Sequence, residues 1–279
     1  MSDVATDNVI DNMFDDDLSQ AVVRANVKNT VALTTGSQQR VSGGSLVGQT
    51  ADRLREAIFN GTYPPGSNLR ELRIAKELGI SQSTVRESLQ RLEAAGLVTR
   101  QPNVGTTVTR LSPREVRERV ELRVLLEVRA AQEASKQMQE PQFAELECLL
   151  AALSAATKRD SYYEAAQADL DFHRYVWACS GNETLAKMLD QVTVPLMAFV
   201  SVMRALGLEQ LSEITHGHEP LVAALRSGDL SLIEETFSHG ATDSYDAFMD
   251  KTPSALRAQA FGIMRSSKQG RLDADPAKP

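Results

Sequence analysis

Asp169 and His173 stand four residues apart in the stretch "DLDFHRYVWACSGN". On a helix that spacing stacks both side chains on one face, so a carboxylate and an imidazole could hold one cation between them. An ordinary surface Asp–His pair has the same spacing. A second stretch is "ISQSTVRESLQRLEAAGLVTR", where Ser81, Gln82, Ser83 and Thr84 crowd the start of a helical pattern and Arg86 follows. The N-terminus of a helix carries unpaired N–H groups and the positive end of the helix dipole, and small hydroxyls let a phosphate or base edge come close. Gln can read adenine through two hydrogen bonds, and Arg can read guanine or clamp a phosphate. A capped surface helix of no special function would open the same way, so the surroundings must decide.

Those surroundings form a compact unit. Ala51, Leu54 and Ile58 fall on one helical face, and Gly61 and "YPPG" end that helix. A short second helix is expected in "ELRIAKELG", with Leu72, Ala75 and Leu78 inward and Gly79 at its end. Ser81 is a good N-cap for a third helix over residues 82–95, whose buried stripe is Val85, Leu89 and Leu92 and whose stop is Gly96. The β-branched runs "LVTR" and "TTVTR" around "QPNVG" read as a hairpin. Three helices and a hairpin make a winged helix-turn-helix over residues 49–110.

Charge is divided to match. The chain of 279 residues has a net charge of -7, yet residues 49–110 hold nine basic and six acidic side chains, net +3, whereas residues 111–250 hold 12 and 23, net -11. A basic unit on an acidic one is the pattern expected when only one half meets a polyanion. Residues 1–48, with the acidic run Asp15–Asp17 and a Gly/Ser-rich segment, read as a disordered tail, and residues 252–279 as a polar tail. No uninterrupted apolar run long enough for a membrane span and no secretory signal stands out, so a cytoplasmic protein without a membrane partner is expected. Cys148 and Cys179 lie in apolar helical patterns and are expected to be buried reduced thiols.

From Ser112 the pattern is helical throughout. "SPRE" is a capping box with proline at the first helical position, which predicts a long helix over 113–138. Further helical patterns cover 142–157, 162–179, 183–206, 210–226 and 230–249, with a kink expected at Pro195. The fold class is therefore mostly α: a winged helix-turn-helix followed by an all-helical antiparallel bundle over 111–251.

The stretch "LREAIFNGTYPPGSNLRELRIAKELGISQSTVRESLQRLEAAGLVTRQPNVGTTV" resembles the DNA-binding domain of GntR-type transcription regulators over nearly its whole length. The resemblance implies a double-stranded DNA operator as partner. Its DNA-contacting positions fall on Arg70, Ser81, Ser83, Thr84, Arg86 and Gly105; Arg73 and Gln82 are placed in the same set. Gln82 stands where an arginine is usual and Thr84 where proline is common, so the operator sequence stays unassigned.

The second half resembles the FCD effector domain of the FadR-like subfamily, on "DLDFHRYVWACSGN" and "HEPLVAALRSGD". There an aspartate and three histidines surround a divalent metal such as zinc or nickel. The resemblance places Asp169, His173 and His218 in three ligand positions. The fourth position usually lies 22 residues past the third, which is Gly240; His239 lies one residue short of it. One residue rotates a side chain by about 100°. Either the last helix is shifted to aim His239 inward, or the site loses a ligand, or His216 substitutes. "ELRVLLE" resembles the first effector-domain helix, whose arginine binds a carboxylate; Arg123 is that effector-binding candidate, with a salt bridge to Glu127 as the alternative.

Together these imply a homodimeric transcription regulator, a repressor released from a palindromic operator by a small organic acid. Two other classes stay open: a metal-dependent enzyme acting on a small carboxylate, for which no acid/base residue or nucleophile motif is left over, and a scaffold that binds DNA without a ligand.

Overall fold

The computed structural model describes residues 45–101, 105–159, 161–203 and 217–251. The expected tail over 252–279 lies outside the described residues, as do residues 1–44 of the other tail, His216 and the start of the helix predicted over 210–226.

Order begins with α1 (Leu46–Phe59), capped by Ser45, whose Oγ accepts from the Gly48 N–H at 3.2 Å. The helix therefore starts three residues before the expected boundary at 49, because a serine cap was available upstream. Ala51, Leu54 and Ile58 are buried as expected. In α2 (Glu71–Leu78) the inward set differs: Ile74 and Ala75 are buried, Leu78 is half-buried, and Leu72 is 71% exposed. A two-turn helix offers two overlapping apolar faces, and its packing on α3 selects the one bearing Ile74. Gly79 closes α2 at φ 65°, a left-handed turn in which a side chain would be strained. In α3 (Gln82–Ala94) Val85, Leu89 and Leu92 are fully buried, and the Ser81 hydroxyl accepts from the Thr84 N–H at 3.1 Å.

The wing pairs β1 (Val98–Gln101) antiparallel with β2 (Gly105–Val108), Val98 opposite Val108. A further edge comes from residues 66–69. Gly66 N donates to Val108 O at 2.9 Å, Val108 N to Ser67 O at 2.9 Å, and Leu69 N to Thr106 O at 2.8 Å.

The bundle follows as α4 (Pro113–Ser135), α5 (Glu140–Lys158), α6 (Tyr162–Cys179), α7 (Glu183–Met203), α8 (Glu219–Ser227) and α9 (Leu230–Lys251). The capping box is formed: Ser112 Oγ accepts from Glu115 N at 3.2 Å, and Glu115 Oε2 from Ser112 N at 2.8 Å. Helix α4 is central and packs on α6, α7, α8 and α9. Both cysteines are free, but Cys148 is exposed, because α5 turns Phe143, Leu146 and Leu153 inward and leaves position 148 outside that stripe, and Cys179 is only half-buried against the bundle core. Helix α7 is long and apolar enough to span a membrane by composition, but 67% of that window is buried inside the protein, which makes it a core helix.

The two halves share one core. A single apolar cluster runs from Leu54, Ile58, Leu97 and Val108 in the winged unit to Ala130, Trp177, Leu189 and Met197 in the bundle. Phe59 meets Tyr163 edge-on, with ring centroids 5.8 Å apart. At the seam, Gly96 adopts φ 72°, and a Cβ there would stand 2.9 Å from Cγ of Pro195 in α7. Pro195 has no N–H for the Gln191 carbonyl one turn back, and Arg119 Nη1 on α4 donates to that oxygen at 3.2 Å.

Candidate nucleic-acid interface and metal centre

The DNA-reading candidates sit around the first turns of α2 and α3. Ser81 Oγ lies 2.8 Å from both Ser83 Oγ and Thr84 Oγ1, so the hydroxyls bond among themselves at the helix start. Ser81, Ser83 and Arg86 are exposed, with Gln82 and Thr84 half-buried. Arg70 is exposed as the residue preceding α2. Arg73 is exposed too but turns along α2 to Glu77, with Nε 2.6 Å from Oε1. Gly105 is exposed at the wing, at φ 113°, and a Cβ there would meet only Asn68 at 3.7 Å.

The residue that joins this surface is one that sequence reasoning missed. Glu71 Oε2 accepts from Gln82 Nε2 at 2.9 Å and from Arg86 Nη2 and Nε at 3.0 and 3.2 Å. Arg100 Nη2, on β1, lies 3.8 Å from Glu71 Oε1. The hydrogen bond from Arg86 lowers the Glu71 pKa, with Gln82 adding to it and partial burial opposing. No local spacing announces such contacts, since the partners stand 11 and 15 residues away.

The second site is inside the bundle. Asp169, His173 and His218 are all buried, and their ligand-type atoms lie within 4.8 Å of one another. His218 Nε2 is 2.8 Å and His173 Nε2 3.4 Å from Asp169 Oδ1. The site continues outward. His173 Nδ1 is 2.5 Å from Glu127 Oε1, which also accepts from Trp177 Nε1 at 3.1 Å. Arg123 Nε donates to Glu127 Oε2 at 2.8 Å, and Arg123 Nη2 lies 3.2 Å from His173 Nε2.

Burial pushes the Glu127 pKa up, but the Arg123 guanidinium, and then His173, hold it well below the usual carboxylate range. Burial likewise opposes charge on His173, yet Glu127 and Asp169 raise its pKa to about 9. Asp169 is held well below its ordinary value by His218 and His173 against burial.

This donor set fits a metal ion. Asp169 Oδ1 is buried and has no aligned hydrogen-bond donor, although two imidazole nitrogens stand close enough. A carboxylate on the far nitrogen of His173 is the arrangement that orients a ligating imidazole. His239 is a correction: it is exposed on α9 and lies outside the cluster. Ile233, Phe237 and Ala241 form the buried face of α9, and position 239 is turned about 200° from Phe237. Position 240 instead faces α8, where a Cβ would meet Leu221 Cδ2 at 3.5 Å, but the residue there is glycine. Arg123 is only 5% exposed and makes the Glu127 salt bridge, the alternative to a dedicated carboxylate binder. Trp177 joins the site unannounced, though Asp169, His173 and Trp177 follow one another at four-residue steps on one helical face.

Comparison with known proteins agrees with both halves. The model for bacterial regulatory proteins of the gntR family matches residues 46–108, and that for the FCD domain residues 118–239. The "Probable D-xylose utilization operon transcriptional repressor" of Paenarthrobacter nicotinovorans is 28% identical over 203 residues, covering 73% of this chain and 88% of that protein. An HTH-type transcriptional regulator in the TAR-I ttuE-ttuC' intergenic region of Agrobacterium vitis is 34% identical over 166 residues, 58% of this chain and 96% of that one. The solved structure of E. coli McbR/YncC shares the fold, with a TM-score of 0.63 at 22% identity over 75% of this chain and 100% of that one. The chain belongs to the GntR family: it is a DNA-binding transcription regulator with an FCD domain, and not an enzyme.

Proposed function

We propose that the chain is a homodimeric repressor that leaves a palindromic operator when a small organic acid enters the bundle beside a divalent metal such as zinc or nickel. The observation that carries this reading is the buried set Asp169, His173 and His218 with Arg123 and Glu127 behind it. A bundle that served only as a scaffold would gain nothing from burying so many ionisable groups at a desolvation cost.

Charge supports the class of ligand. With neutral imidazoles, Arg123, Glu127 and Asp169 sum to -1, and a divalent ion brings the described set to +1, the charge that one carboxylate balances. Asp169, His173 and His218 would hold the ion, which would supply a Lewis-acidic anchor for the acid. Arg123 shares His173 Nε2 at 3.2 Å, so ligation of that nitrogen would turn the guanidinium toward the incoming carboxylate.

On the DNA side, Arg70, Arg73, Ser81, Gln82, Ser83, Thr84, Arg86 and Gly105 form the contact set. A twofold dimer would present two such heads to the half-sites of a palindrome. Leu122 and Leu125, exposed one turn apart on α4, are apolar surface that a second copy would cover. Such a regulator works in the compartment that holds the DNA, the cytoplasm of a bacterium. Ligand changes operator affinity only as far as it binds the two head poses differently. The test is fluorescence anisotropy of operator DNA while small organic acids are titrated into zinc-loaded and chelated protein. Acid-driven release from the loaded protein alone is expected; equal release from metal-free protein refutes the metal and leaves Arg123 as the anchor.

A further inference from the structure

We infer that Glu71 is a positioning residue for base reading: it holds Arg86 and Gln82 in the orientation that meets the DNA. The inference rests on the reading that Arg86 and Gln82 contact bases. It starts from a carboxylate that belongs to neither the helix nor the wing it organises. Glu71 is the first residue of α2, yet its Oε2 gathers Gln82 Nε2 at 2.9 Å from the first turn of α3 and Arg86 Nη2 at 3.0 Å from the second. Arg100 of the wing stands 3.8 Å from its other oxygen.

The geometry of the fork gives the contact its meaning. Glu71 takes the side edge of the Arg86 guanidinium, through Nε and Nη2. The end edge, Nη1 with Nη2, can pair with O6 and N7 of guanine, and its Nη1 makes no hydrogen bond to the carboxylate. A free arginine side chain must surrender rotamer freedom to dock, whereas one braced on its side edge has surrendered it already. The Arg86 side chain is 51% exposed against 18% for Glu71, so the brace lies beneath and the reader on top. Gln82 is fixed by the same oxygen, and its amide keeps a second N–H and its carbonyl for a base. One acidic group thereby sets two readers in register. Placed this close to the DNA, it also repels phosphates, an expense that a purely structural residue would not need.

The probe is a duplex enriched from random-sequence DNA by the full-length wild-type protein, compared with an unselected duplex at the same salt. Glu71→Gln should bind the selected duplex about tenfold more weakly, bind the unselected one equally or more tightly, and melt within a degree or two of wild type. Glu71→Asp, which keeps the charge at shorter reach, should recover part of the discrimination. In an Arg86→Ala, Gln82→Ala background, Glu71→Gln should cost almost nothing further, because the residue acts through those two side chains. Tighter binding of both duplexes by Glu71→Gln would mean that the carboxylate masks Arg86, and would overturn the proposal. An equal loss in both backgrounds, or equal losses on both duplexes with a lowered melting temperature, would reduce Glu71 to a helix-end residue and overturn it too. If Arg86→Ala alone leaves selected-duplex binding unchanged, the base-reading role of Arg86 fails and the positioning role with it. An effect of Arg86→Ala without one of Glu71→Gln removes the positioning role only.

Discussion

Gly96→Ala should destabilise the whole protein, and the structure says by how much. Gly96 sits at φ 72°, and its missing Cβ would stand 2.9 Å from Pro195 Cγ. A left-handed conformation costs an alanine about 1–2 kcal/mol, and forcing a methyl group into a closed seam costs about 1–3 kcal/mol more. The sum is roughly 2–5 kcal/mol, which for a chain of this size lowers the melting temperature by roughly 4–20 °C. Gly79 supplies the control. It has φ 65° but nothing within 4 Å of the added Cβ, so Gly79→Ala should show the conformational part alone, about 1–2 kcal/mol. Urea unfolding of both variants at one protein concentration isolates the contact between head and bundle as the difference. Pro195→Ala should recover most of that difference in the Gly96→Ala background, since it removes the ring and restores an N–H for the Gln191 carbonyl. Equal midpoints for Gly96→Ala and Gly79→Ala would show that the seam does not bear on stability, and the docking of the head on α7 would have to be abandoned.

Other expectations follow from the same geometry. Gln82→Arg adds a cation near the backbone and should steepen the slope of log affinity against log salt by about one unit; identical slopes would place residue 82 away from phosphate. Added zinc should raise the melting temperature; Asp169→Asn and His218→Ala should each abolish that rise, while His239→Ala, exposed on α9, should leave it intact. A lost zinc response in His239→Ala, seen by thermal shift, would mean that α9 rotates on loading. Ser112→Ala breaks the capping box of α4 and should cost about 1 kcal/mol in urea unfolding; no change would show that the helix start is held by packing alone.

Much of this was legible because the elements carry local signals. The Ser81 cap, the "SPRE" box and the stripe Val85, Leu89, Leu92 are each decided within a turn or two, and the structure forms all three. What escaped is tertiary. Leu72 faces solvent because a two-turn helix takes its inward face from its neighbour. The wing's third edge comes from residues 66–69, which have no β-branched pattern to announce them. Glu71 organises partners that no helical period links to it. At the candidate metal centre, Asp169, His173 and His218 do come together, whereas His239, one residue short of its expected position, is exposed on α9 and outside that cluster.

The unbroken cluster from Leu54 to Met197 bears on how such a protein can be recombined. The two family models meet the chain as separate stretches, 46–108 and 118–239, as if each could be lifted out and joined to a new companion. The interior does not respect that cut. Ile58, Leu97 and Val108 take part of their cover from the Pro195–Val202 face of α7, so a head excised at residue 110 would carry an uncovered apolar flank. A chimera with a foreign effector domain must bring a matching α7 surface, with the proline that Gly96 accommodates. The unit of exchange is thus the head together with the helix it leans on, a module that no contiguous stretch of sequence delimits.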